Sequence, residues 1–207
     1  MKHFIIPAFL VLFLILTAEF ALADSIQGRI GVTGRIGFLV PSDNEAFIEP
    51  SRVANLNTDV GFVGGGGFIY GINKNFAAEL DITYTDFNAN LGGFREGDFS
   101  TTNISLGAQY RFVDIPVKKL VPYVGAGIDI LFNDFNSADG NDADVDTVAG
   151  VHVSGGVDYF ILKQVALTAE LKGVLAPNAD INFRGEKVGN YDPTSFSMTF
   201  GVRYFFN

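Results

Sequence analysis

Residues 194–206 alternate with strict period two, Phe196, Met198, Phe200, Val202, Tyr204 and Phe206 against Ser195, Ser197, Thr199, Gly201 and Arg203. Successive side chains of a strand point to opposite faces, so this segment makes one wholly apolar face and one polar face that includes a cation. Such a strand fits a wall between lipid and water, and that combination excludes most folds at once.

Seven further segments read the same way. Residues 26–40 set Ile26, Ile30, Val32, Ile36, Phe38 and Val40 against Gln27, Arg29, Thr33 and Arg35; residues 76–86 set Phe76, Ala78, Leu80, Ile82 and Tyr84 against Glu79, Asp81, Thr83 and Thr85. Residues 101–112 oppose Ile104, Leu106, Ala108, Tyr110 and Phe112 to Asn103, Ser105, Gln109 and Arg111, while 59–71 is loaded with glycine, and 122–132, 149–160 and 165–175 complete the set. The connections at 72–75 and 161–164 are short and that at 112–121 intermediate, whereas 41–58, 87–100, 133–148 and 176–193 are long and polar. Short turns on one side and long loops on the other are the plan of an eight-stranded antiparallel transmembrane β-barrel, with the short turns periplasmic and the long loops extracellular. Most of the acids behind the net charge of −9 fall in the long segments.

The N-terminus agrees. Lys2 and His3 precede an apolar run that ends in Ala21-Leu22-Ala23, a small-x-small site before Asp24, so residues 1–23 read as a cleaved signal peptide and 24–207 as the barrel. The run is shorter than the roughly 20 residues of a spanning helix. With no cysteine there is neither a disulfide framework nor a lipidated cysteine.

Five acids (Glu79, Asp81, Asp129, Asp158, Glu170) and five bases (Arg29, Arg35, Arg111, Lys172, Arg203) share one face, and the opposite face carries no charge. A soluble barrel would turn that charged face outward, so the aromatics decide the orientation. Phe68, Tyr70, Phe76, Tyr110, Phe112, Tyr159, Tyr204 and Phe206 sit at the short-turn ends of the apolar face, and Phe38, Phe62, Tyr84, Phe132 and Phe196 at the long-loop ends. Two aromatic belts around an aliphatic band are what the two interfaces of a bilayer select.

Pro122-Tyr123-Val124-Gly125-Ala126-Gly127-Ile128-Asp129, Gly156-Val157-Asp158-Tyr159-Phe160, Tyr191-Asp192-Pro193 and Arg35-Ile36-Gly37-Phe38-Leu39-Val40-Pro41 resemble segments of the OmpW family of small outer-membrane barrels, although the chain has no tryptophan. The resemblance implies an eight-stranded barrel associated with passage of small hydrophobic molecules across the outer membrane. Phe200, Val202, Tyr204 and Phe206 are likewise similar to the C-terminal signal read by the outer-membrane assembly machinery, with Tyr204 and Phe206 at its end and Asn207 displacing the aromatic from the last position.

An eight-stranded barrel is just wide enough to be filled by its own side chains, which argues against an open aqueous pore. Arg29, Glu79, Arg111, Asp158 and Arg203 lie toward the periplasmic end and must pair, since isolated buried charge is very costly; they predict a polar plug. Leu39, Val63, Leu131 and Val174 have lumen parity near the long loops, which predicts an apolar mouth that takes a hydrophobic molecule and passes it sideways through the wall; drift of parity near strand ends is the plainer account of the four. Gly61, Gly64, Gly65, Gly66, Gly67 and Gly71, with Gly125 and Gly127, would either weaken the wall or simply give bulky neighbours clearance.

Two other function classes stand beside the conduit. A structural or adhesive barrel would work through its acidic loops, of which the third, with Asp134, Asn136, Asp139, Asp142, Asp144 and Asp146, offers oxygens to calcium but misses the EF-hand pattern and reads better as a solvated loop. A lipid A-modifying enzyme would use His152-x-Ser154 with Glu170, but Gly155 follows the serine where that family has asparagine, and parity points the pair into the lumen. No catalytic activity, cofactor, metal or nucleic-acid partner is expected; lipid, small hydrophobic solutes and the assembly machinery are.

Overall fold

The computed structural model describes residues 25–206, apart from 43, 50–51, 59, 92–93, 118, 138–142 and 184–185. The segment read as a signal peptide, and Asp139 and Asp142 of the third loop, lie outside the described residues.

Eight strands close a barrel: β1 (Ile30–Pro41), β4 (Gly61–Gly71), β5 (Phe76–Leu91), β6 (Phe94–Arg111), β7 (Leu120–Ser137), β9 (Val148–Phe160), β10 (Val165–Leu175) and β13 (Ser195–Phe205). All neighbours are antiparallel, and the ring closes through β1 with β13 and β7 with β9. Closure removes every sheet edge, which is what a strand protein needs in a medium without water to satisfy free backbone groups. The outer face is the predicted one. Ile36, Ile82, Leu106, Ile128, Val153, Leu167 and Phe200 are exposed, and the aromatics of both belts flank them, among them Tyr70, Phe76 and Tyr110 at one rim and Phe38, Phe62, Tyr84, Phe132 and Phe196 at the other. So much exposed apolar surface is tolerable only against lipid.

The long connections hold structure that alternation did not reveal. They contain β2 (Asn44–Glu49), β3 (Arg52–Thr58), β8 (Ala143–Val145), β11 (Ala179–Phe183) and β12 (Glu186–Tyr191), while β5, β6 and β7 run on to 16, 18 and 18 residues. These pair in the order β5–β3–β2–β12–β11–β8–β7, so a second ring stands on the first and shares three continuous strands with it. The other five strands each break between the rings, and prolines mark three of the five breaks: Pro41 ends β1, Pro177 lies between β10 and β11, and Pro193 between β12 and β13. A proline has no N–H to give a ladder. The seam is stitched at Thr194, whose carbonyl accepts from Ser42 N at 2.9 Å and whose Oγ1 donates to the Ala176 carbonyl at 3.3 Å.

The glycines do not open the wall. Pairing of β1 with β4 runs without a shift through Gly64, Gly65, Gly66 and Gly67, and the register shifts lie in the upper ring. The clearance reading fits the geometry better: a Cβ on Gly67 would collide with the Asp81 carboxylate, and one on Gly156 with the Tyr123 ring.

Ile26 departs from its expected outward position. Gly28 takes φ +69°, a left-handed turn that suits glycine, and Gly28 N donates to the Gly71 carbonyl at 2.7 Å, so the chain folds under the barrel before β1 begins. Ile26 is thereby fully buried with Ile69, Ala77, Val113, Val121, Phe160, Ala166 and Phe205. This apolar layer is the periplasmic floor, and the charged residues stack above it rather than forming it.

Candidate functional site

The middle of the lumen is one ion-pair network. Arg203 and Arg111 are both 0% exposed. Arg203 donates to Glu79 at 2.8 Å and to Asp158 at 3.1 Å, and Arg111 to Asp158 at 2.7 Å. Arg35 reaches Glu79 and Asp81 at 2.9 Å each and Glu170 at 2.7 Å. Gln109 gives its amide to Glu79 and accepts from both Arg111 and Arg203, while Tyr123 donates to Glu170 at 3.0 Å and lies under the Arg203 guanidinium, 5.0 Å from its ring centre. Glu79, Arg111, Asp158 and Arg203 therefore meet in the lumen. Arg29 does not join them: it sits at the rim, donating to the carbonyls of Lys163 at 2.9 Å and Phe205 at 3.3 Å, because the Gly28 turn has left it below the floor.

A second cluster gathers around Asp129. It accepts from Asn103 Nδ2 at 2.9 Å and Lys172 Nζ at 3.0 Å, accepts from Ser105, and stands 2.6 Å from His152 Nδ1. His152 is thus engaged with Asp129, and Glu170 with Arg35 and Tyr123, so the histidine and the glutamate considered for a triad are held by separate partners.

Above both clusters lies a small cavity of about 40 Å³, room for a few water molecules. Leu39, Val63, Leu131 and Val174 all line it, the last three buried and Leu39 half-buried. Its wall is more polar than an apolar mouth, since Thr83, Thr85, Thr101, Asn103, Ser195 and Ser197 complete it, with Arg35, Asp81, Glu170 and Lys172 below. Alternation had put these hydroxyls on the lumen face, and only the closed ring brings them into one chamber.

The sequence reading missed the roof. Phe99, Val145, Ala179, Ile181 and Tyr191 form a buried cluster inside the upper ring, with Phe135 and Val148 against it. Phe99 stacks on Tyr191 with ring centres 4.8 Å apart, and Tyr191 shares a hydrogen bond with Thr101 at 3.2 Å. Burial pushes the Tyr191 phenol up to about 12. The cavity thus has an aromatic roof, an ionic and then apolar floor, and the seam at its side: Pro193 and Ser195 line it, and Val174 faces Ser195 in the last row of the lower ladder. At the opposite end of β13, Phe206 is exposed and meets Tyr204 edge-on at 5.1 Å.

Comparison with known proteins agrees with this architecture. The family model described as "Outer membrane protein beta-barrel domain" matches residues 8–206. The chain belongs to that family. OprG of Pseudomonas aeruginosa matches in structure at TM-score 0.74 and 17% identity, covering 90% of this chain and all of that one. Outer membrane protein AlkL, solved in DMPC bilayers, matches at 0.61 and 16%, covering 88% and 92%, and Neisserial surface protein A at 0.53 and 19%, covering 87% and 98%. No curated protein matches in sequence. These neighbours share the small outer-membrane barrel, in keeping with an OmpW-like resemblance, and the chain is an outer-membrane protein.

Proposed function

We propose that this barrel is a passive conduit for small hydrophobic molecules, which bind in the outer half of the lumen and leave sideways through the seam into the bilayer. The observation that carries this reading is the cavity at seam level, closed below by two layers and roofed by an aromatic cluster. A straight path to the periplasm would have to break ion pairs whose partners have almost no access to water. Removing one member of such a pair costs about 3–5 kcal/mol, far more than a passing apolar molecule can offset. The side exit needs no buried ion to move.

Leu131→Arg and Val174→Arg place charge in the apolar part of the cavity. Variants that fold are expected to lose most uptake of a hydrophobic solute into proteoliposomes. Folded variants with wild-type uptake would refute the conduit. A wild-type barrel that folds and moves no test solute would favour the loop-mediated interaction barrel instead.

A further inference from the structure

We propose that the periplasmic rim and the wall above it bind an anionic phospholipid of the inner leaflet, with its phosphodiester head on the rim cations and one acyl chain in a groove of the outer wall. The turns at this end carry Arg29, Lys74, Lys119 and Lys163 against one acid, Asp114, among the described residues. Hydrogen bonds join these turns into a continuous rim. Arg29 Nη1 donates to the Lys163 carbonyl at 2.9 Å, Phe160 N just before that turn donates to the Lys119 carbonyl at 2.8 Å, and Lys74 reaches Asp114 on the Lys119 turn at 2.5 Å. The last pair is open to water, so Asp114 offsets Lys74 only in part. The long segments at the other end hold most of the acids, so an anionic head is favoured at the short-turn end.

The rim sits at head-group depth. Ile72, Val117 and Ile161 are exposed on the turns themselves, and Phe76, Tyr110 and Phe206 of the aromatic belt are exposed beside them. Apolar turn tips and aromatic rings belong at the membrane interface, which sets the neighbouring cations at the level of the lipid phosphates. On the wall above Lys74, a groove of about 280 Å³ runs between Val32, Phe68, Leu80 and Ile82 over Gly66, which faces Gly34 in the β1–β4 register. Phe68, Leu80 and Ile82 are exposed, so the groove opens to lipid. Leu80 lies four residues beyond Phe76, where β5 leaves the turn that carries Lys74, or about 14 Å along the strand. Half the hydrocarbon core is about 15 Å thick, so a lipid whose head rests on the rim lays a chain through the groove.

The test places the whole barrel in nanodiscs of phosphatidylglycerol and phosphatidylcholine with identical chains and reads the retained lipid by native mass spectrometry. Phosphatidylglycerol should be retained over phosphatidylcholine by at least about fivefold, the worth of one cation at an anionic surface, and excess inorganic phosphate should not displace it. Lys119→Gln with Lys163→Gln should bring the ratio close to one. Arg52→Gln with Arg95→Gln, in β3 and β6 at the long-loop end, changes the net charge equally and should leave the ratio as it was. A Cβ on Gly34 would meet no atom within 4 Å, so Gly34→Leu fits the wall; by filling the groove it should lower phosphatidylglycerol retention several-fold with every cation in place. Equal retention of the two lipids, a preference that survives the loss of Lys119 and Lys163, or one lost equally with Arg52 and Arg95 would overturn the rim site. Displacement by phosphate would overturn the lipid as its ligand, and retention untouched by Gly34→Leu would overturn the chain groove.

Discussion

Arg203 shows how one side chain can close a pore. It reaches Glu79 and Asp158, caps Tyr123 and touches Gln109, so a single guanidinium ties its own strand to four others across the lumen. Arg203→Met should cost about 3–5 kcal/mol, because Glu79 and Asp158 stay buried with less to balance them. Denaturant unfolding of the detergent-solubilised barrel measures it, and a change within about 0.5 kcal/mol, the usual range for a surface substitution, would contradict the network's role. Arg29 was grouped with Arg203 because both have lumen parity near the short turns. Parity carries no information on a turn such as the one at Gly28, and so it misplaced both Arg29 and Ile26. The rest of the floor was within reach of the same rule, since Phe160 and Phe205 occupy lumen positions at the short-turn ends.

At the level of elements, the eight wall strands were legible because lipid on one side and a packed lumen on the other impose period two over their whole length. The second ring was not legible, because β2, β3, β8, β11 and β12 run only three to seven residues, too short for alternation to show. Their polar, proline-marked sequences read as loops. Tyr191 gives this ring a pH signature. Its folded value, about 12, lies above the ordinary 10.0, so its contribution to the roof is complete below pH 10 and is lost as the pH climbs through 12. Tyrosinate absorbance should include a late step near pH 12, and Tyr191→Phe should remove it. A titration unchanged by the substitution would contradict the buried roof.

At the scale of the whole molecule, two rings share three strands and leave a seam around the other five, with one chamber between floor and roof at the level of that seam. The chamber's four apolar residues were found from parity alone, whereas its hydroxyl wall and aromatic roof emerged only from the closed geometry. The central claim is that this chamber communicates with the bilayer rather than with water on either side. The native chain has no cysteine, so Val174→Cys places one thiol in the chamber wall next to the seam. In proteoliposomes, an apolar maleimide dissolved in the membrane should label that thiol several-fold faster than a bulky charged maleimide in the aqueous phase. Equal or faster labelling by the charged reagent would show a chamber open to water and would contradict the account.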